Sequence, residues 1–424
     1  MPRWLYVLFV FAVLAPLLAF LHVPPLLLFV VAALGIVPLA ALIGDAVENV
    51  AEHTGERVGG LLFATFGNAT ELIISIFALS EGLVDVVRAS IIGSILGNGL
   101  LVLGVAVCIG SFKHGPLRFA TRPASQYASL LALSIGGLLL PTIALLLTSR
   151  TNATLASEHE ATLSNFIAIL LLLGYVASIL FSVFRVRDKA HTEEEEVDPI
   201  EGMRAASTIS RLLAYRKQLA HSNLPGKTDV LHRIDGTIDA IVAHETKPPT
   251  GTEGASATPD KAEKPIAVVE KPPLWRGLIL LLVATVGVAI LSEILVGTIE
   301  PMTAVLGWNA AFVGLVFVPL IGALPEYFNT ISMALDKRLG MVLAASAGSS
   351  IQIALLIAPL LVLISLVMPH HLDLVFSPIE LAVLGLATFL FSEVTKDGEL
   401  VWLEGLLLIL LYTMMGGTVF LFGS

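Results

Sequence analysis

Along the chain, apolar runs of about 20 residues alternate with short polar segments, and about 20 residues is what an α-helix needs to cross about 30 Å of hydrocarbon at 1.5 Å per residue. Eleven such windows can be placed, near 4–22, 26–51, 57–80, 84–110, 124–148, 161–184, 275–298, 305–334, 340–368, 376–394 and 400–422. The pattern predicts an all-α polytopic membrane protein with 11 transmembrane helices.

The sixth connection differs from the others. It opens with EEEEVDP (Glu193–Pro199), passes through the amphipathic helical pattern ISRLLAYRKQLA (Ile209–Ala220), and ends in KPPTGTEGASATPDKAEKP, which reads as disordered linker. The acidic run is either a solvated, self-repelling stretch or a regulatory cation-binding element. The expected organisation is an N-terminal transmembrane helix (1–22), a first five-helix repeat (23–184), an acidic, disordered cytoplasmic loop (185–274) and a second five-helix repeat (275–424).

Basic residues set the expected orientation. With the N-terminus inside, the short inner segments hold Arg3, Arg57, Lys113, Arg118, Arg122, Lys337, Arg338 and Lys396, and the outer ones hold only Arg88 and Arg150. The remaining Lys and Arg fall in and beside the long loop, which this places in the cytoplasm. The cell (inner) membrane is the expected location, with a vacuolar-type organelle membrane as the alternative.

Composition narrows the class further. Hydrophobic residues make up 56% of the 424 residues and charged residues only 14%, so the apolar surplus must face lipid. The formal charge of −10 comes largely from the loops and is no nucleic-acid signature. Cys108, the one cysteine, excludes an intramolecular disulfide and reads as a small buried hydrophobe. The apolar N-terminus reads as a first span rather than a signal peptide, since no A-x-A-like cleavage site stands out.

The two halves echo one another. Gly67 and Glu71 in GNATE match Gly322 and Glu326 in GALPE, and each glutamate precedes a Gly-Ser pair, Gly93-Ser94 or Gly348-Ser349, by the same spacing. With one helix set aside, five remain on each side of the loop, and an odd-numbered repeat enters the membrane from opposite sides. Inverted repeats of this kind build transporter sites near the midplane, often at interrupted helices. Gly67-Asn68 and Gly322 to Pro325 are the expected interruptions.

An ionised carboxylate in hydrocarbon must face a wet cavity, pair with a cation or become protonated. Glu71 and Glu326 are therefore the expected cation and proton ligands, and also the metal-binding pair. Protons and a divalent cation exclude one another from such a site, which is what antiport requires. An all-oxygen site suits calcium. Asn68 and Ser75 share a helical face with Glu71, and Thr330 lies one turn beyond Glu326. Asn98 and Gln352 follow the two Gly-Ser pairs, where their amides either coordinate an ion or bond helix to helix. Gly67 and Gly322 complete the candidate site. Asp45, Glu48 and Glu52 toward the inner end of the second helix, and Glu293 and Glu300 toward the outer end of the seventh, are candidates to line access routes; plain interfacial solvation fits Glu52 and Glu300 equally and fits the deeper Glu48 and Glu293 less.

At these residues the chain resembles the cation/proton exchangers of the CAX family, within the calcium/cation antiporter superfamily. The resemblance rests on GNATELIISIFAL, on AEHTGERVGGLLFATF before it and on SIIGSILGNGLLVLG after it. It implies that Glu71 and Glu326 carry calcium and protons, that Asn98 and Gln352 lie beside them, and that a bundle of gating helices slides past the rest. The second motif departs from the family pattern, with Ala323 in place of Asn and Tyr327 in place of His. Its LPE is similar to the sodium/calcium exchanger branch, while GSSIQIALL resembles the proton-coupled one.

The expected function is therefore secondary antiport of Ca2+, or another divalent cation, against H+. A sodium-coupled exchanger is the alternative and a passive channel a more distant one. No HExxH, CxxC, Walker A or nucleophile-elbow pattern occurs, so neither an enzyme, an ATP-driven pump nor a resident cofactor is expected. The expected partners are Ca2+, H+ and the lipid bilayer. Homo-oligomerisation is left open.

Overall fold

A computed structural model describes residues 5–54, 62, 65–149, 153–189 and 273–423, with the side chains of 52, 54, 153, 155–158 and 181–189 left aside. The acidic run at Glu193–Pro199 and the amphipathic stretch Ile209–Ala220 lie outside these residues. In chain order the helices are α1 (Leu5–Phe20), α2 (Pro25–Thr54), α3 (Ala69–Ser80), α4 (Val84–His114), α5 (Thr121–Ser149), α6 (Ala153–Lys189), α7 (Leu274–Gly297), the short α8 (Ile299–Leu306), α9 (Ala310–Leu335), α10 (Leu339–Ser365), α11 (Pro378–Val394) and α12 (Trp402–Phe422). Eight described helical segments are long and apolar enough to cross a membrane, and α1 and α3 are shorter apolar helices. The protein is an integral membrane protein built of helices, and among the described residues it has one two-stranded antiparallel ladder, β1 (Leu117–Arg118) against β2 (Glu399–Leu400).

Two compact units divide the chain. One comprises Met1–Phe181 with Lys271–Ser424; the other, Ser182–Glu270, is described only through residues 182–189 of α6. Within the first unit, burial separates a centre from a periphery. The apolar window of α4 is 89% buried and that of α10 67%, against 28% for α6 and 33% for both α7 and α12. The peripheral helices turn leucine, valine and phenylalanine outward, among them Leu133, Phe166, Leu173, Leu282 and Met414, as a lipid-facing surface requires.

Among the described residues three stretches widen into π-helix: Gly97–Val102 in α4, Val313–Phe317 in α9 and Ile353–Ile357 in α10. A π turn shifts the backbone bonds by one residue, and such turns gather at functional sites. The expected interruption at Gly67-Asn68 is present as a turn before α3. That at Gly322 to Pro325 is not: α9 runs unbroken through Pro325 from Val318 to Leu335. Proline's fixed φ is itself helical and it forfeits a single backbone donor. The irregularity of α9 lies one to two turns earlier, in its π segment.

α4 crosses α9 with backbones in contact. A Cβ added at Gly93 would lie 2.0 Å from the carbonyl oxygen of Leu315, and one at Gly314 would lie 2.4 Å from that of Val86. Small residues at such crossings let membrane helices approach closely. Gly348, the sequence counterpart of Gly93, has open space where its Cβ would be. Gly93→Ala is therefore expected to cost about 1–3 kcal/mol by overpacking, while Gly348→Ala leaves stability unchanged or raises it by up to about 1 kcal/mol. Thermal melting of the two purified variants in detergent checks this; equal melting temperatures would contradict it.

Candidate functional site

Glu71 lies in the first turn of α3, where the unsatisfied amides of a helix N-terminus favour a carboxylate. It is 5% exposed, and its Oε2 has no hydrogen-bond partner. Its carboxylate rests against α9 at Gly322, where a Cβ would come within 2.7 Å of Oε1. One turn along α9 stands Glu326, half-buried and close enough for the two carboxylates to repel. Neither takes part in an ion pair among the described residues.

Asn68 is the N-cap residue of α3, yet its side chain makes no cap bond. It reaches across to α10 instead, where its Nδ2 donates to Gln352 Oε1 at 2.8 Å. Ser349, also on α10, is the centre of the network. Its Oγ lies 2.9 Å from Asn68 Oδ1 and 3.1 Å from Glu326 Oε1, and it accepts from Asn98 Nδ2 at 3.0 Å. One hydroxyl hydrogen thus faces two acceptors and can serve one at a time. Asn98 Oδ1 has no partner. Two further α10 hydroxyls bond the backbone of α4 where it widens: Ser346 to Asn98 O, and Ser350 to Ile95 O at 3.1 Å.

The structure thus joins Asn68, Asn98, Gln352 and Glu326 in one hydrogen-bonded group, with Glu71 and Gly322 against it. Ser75 is buried one turn beyond Glu71. Thr330 is buried too, but its hydroxyl is turned back to the carbonyls of Glu326 (2.8 Å) and Tyr327 (3.1 Å), so it completes its own helix. Gly67 is exposed in the turn before α3, and Glu48 and Glu293 are exposed on α2 and α7; none of the three joins the network. Ser349 was not among the residues expected there. The matched Gly-Ser spacing marked it as an anchor of the repeat, and its hydroxyl is the chemistry at that anchor.

Two facing carboxylates, three amides and a hydroxyl form an oxygen-rich, enclosed group suited to a hard cation, with Glu71 Oε2 and Asn98 Oδ1 both unengaged. The sodium/calcium exchanger protein family matches residues 24–184 and 276–420. The chain is 34% identical over 396 residues to a Ca(2+)/H(+) antiporter of Aphanothece halophytica, covering 93% of this chain and 90% of that one. It is 30% identical over 410 residues to the Ca(2+)/H(+) antiporter ChaA of Bacillus subtilis (strain 168), covering 95% and 94%. Superposed on the solved structure of native YfkE it gives a TM-score of 0.70 at 28% identity, over 98% of this chain and 99% of that one. A solved H+/Ca2+ exchanger CAX shares the fold, at a TM-score of 0.61 and 14% identity over 99% of this chain and 91% of that one. The chain belongs to the sodium/calcium exchanger protein family and, within it, to the cation/proton exchangers of the CAX type.

Proposed function

We propose that this protein exchanges Ca2+ for H+ across its membrane by alternating access, with Glu71 and Glu326 binding either the cation or protons. The carrying observation is the pair of carboxylates that, among the described residues, has no basic partner, with one oxygen of Glu71 unengaged and Glu326 tied to Asn68 and Asn98 through Ser349. A divalent cation satisfies both charges at once, and protons satisfy them separately, so loading with one expels the other. Asn68, Asn98, Gln352 and Ser349 line the site in this reading. Ser75 and Gly67 border it, Gly322 makes room for it, and Thr330 supports the helix that carries Glu326. Glu48 and Glu293 lie along the access routes.

The architecture belonging to this reading is 11 spans, an N-terminal helix followed by two inverted five-helix repeats, with the N-terminus and the 185–274 loop cytoplasmic in the cell membrane. Backbone detail supports the repeat. The π segment Ile353–Ile357 stands 255 residues after 98–102 of the π segment in α4, the same offset that relates Glu71 to Glu326. The positive φ values at Gly82 and Lys337 keep that offset as well.

In proteoliposomes, an imposed pH gradient is expected to drive calcium uphill, and acidifying the calcium side is expected to weaken uptake because protonated carboxylates do not ligate. Uptake that follows a sodium gradient and ignores pH would move the protein to the sodium-coupled reading, which the LPE of the second motif favours. Glu71→Gln and Glu326→Gln are each expected to lower calcium uptake by about a hundredfold or more, since each removes one of two charged ligands; retained exchange in both would remove the site. Ser349→Ala, which takes an acceptor from Asn98 and a donor from Glu326, is expected to weaken uptake by about tenfold, the scale of one hydrogen bond to a charged group. Titrating initial uptake rate against calcium measures it.

A further inference from the structure

The end of α10 opposite its Leu339 start continues into a strap rather than a tight turn. Residues 371–377 have neither helix nor ladder structure, yet Leu372, Leu374 and Phe376 are buried. Their backbone groups find side-chain partners on neighbouring helices. Leu372 N donates to Ser365 Oγ (3.0 Å), Leu374 N to Ser164 Oγ of α6 (3.1 Å) and Phe376 N to Thr142 Oγ1 of α5 (2.9 Å), while Thr142 donates to Leu374 O (3.2 Å). Irregular backbone among membrane helices is tolerable only when satisfied in this way.

Asp373 ties the strap to α4. Its Oδ1 accepts from Arg88 Nη2 at 2.9 Å and from Val375 N at 3.2 Å, and Arg88 Nη1 reaches Asp85 Oδ1 at 3.1 Å. The Arg88 and Asp373 side chains are 25% and 17% exposed, so this pair is better shielded than an ordinary surface ion pair. Glu160 of α6 adds its charge to the field at both. The guanidinium fork is what allows one side chain to hold two carboxylates on separate nitrogens, which a lysine point charge does not reproduce.

The position of this pair along α4 gives it leverage. At the candidate site α4 and α10 are hydrogen-bonded through Asn98, Ile95, Ser346, Ser349 and Ser350, and they also pack against each other on either side of it. Packing is non-directional, whereas a charge-assisted hydrogen bond carries geometric specificity. Arg88 lies ten residues from Asn98, about 15 Å along the helix, so its bond to Asp373 adds a directional tie far from the first. We propose that Arg88 is a positioning residue for transport: by holding Asp373 it fixes the far end of α10 against α4 and so keeps Asn98, Ser349 and Glu326 in register. This rests on the calcium/proton reading only for its transport readout.

The test compares the full-length parent with Arg88→Gln, Asp373→Asn and the charge swap Arg88→Asp/Asp373→Arg in proteoliposomes. Each single change is expected to raise the KM for calcium about tenfold with the maximal rate altered less than about twofold, and the swap to recover most of the difference. Loss of folded protein would lower the maximal rate and leave KM alone. In a Cys108→Ser background, Arg88→Cys gives a second arm: a cationic aminoethyl thiosulfonate is expected to lower KM and an anionic sulfonatoethyl one not to. Amide hydrogen exchange across 95–102 and 346–353, expected to quicken in Arg88→Gln and slow again in the swap, reads the same geometry whatever ion is carried. Failure of the parent to move calcium would overturn the functional reading alone. Parental KM and parental exchange rates in both single variants, a swap no better than either, or equal effects of the two reagents would overturn the role of Arg88.

Discussion

A carboxylate carried into a low-dielectric interior gives up solvation worth several kcal/mol or more, and a second one beside it adds repulsion. Glu71 and Glu326 impose that cost at the centre of this protein, and much of the surrounding architecture answers it. Beside the pair, α4 is the most enclosed of the described spans, 89% buried over its apolar window. The poorly buried helices turn apolar side chains outward, and the polar groups beside the charges come from α3, α4 and α10. The amides and hydroxyls of Asn68, Asn98, Gln352 and Ser349 would be liabilities singly in a membrane interior. Bonded to one another they form a polar interior that a charge can share.

Close approach is the second requirement, because amides and hydroxyls act only at contact distance. The backbone contact of α4 with α9 at Gly93 and Gly314 brings the helix bearing Asn98 against the helix bearing Glu326. Gly322 does the same for Glu71. The π segments fall on two of these helices, α4 and α9, and on α10. Where α4 widens, Ser346 and Ser350 of α10 bond its carbonyls, so a local departure from α-helix becomes an interhelical tie rather than an unsatisfied group.

Hydropathy made the helices legible in the sequence, because lipid selects for length and apolar content residue by residue. The pair Glu71 and Glu326 was legible for the same reason in reverse: a charge in such a run needs an explanation. Asn68, Asn98 and Gln352 followed from spacing. Ser349 did not, since serine is common in membrane helices and its value depends on which atoms lie around it. Thr330 shows the converse, a hydroxyl at the right spacing that the backbone of its own helix captures. Gly322 to Pro325 reads as a break because Gly tolerates unusual backbone angles and Pro lacks a donor, whereas the irregularity of α9 falls earlier, at Val313–Phe317. The strap at 371–377 was likewise hidden, because its partners Ser164, Thr142 and Arg88 lie more than 200 residues away in sequence.

The departure of the second motif from the first has a structural sense. Ala323 occupies the place that Asn68 holds in the first half, 255 residues earlier. Asn68 reaches Gln352 and lies against Ser349, whereas Ala323 joins Val102 and Tyr327 in a small apolar cluster of its own. A second asparagine there would place another buried amide among apolar neighbours, at the cost of an unmade hydrogen bond. The asymmetry of GNATE and GALPE thus follows from what each residue meets: Asn68 has hydrogen-bond partners on α10, and Ala323 has apolar neighbours.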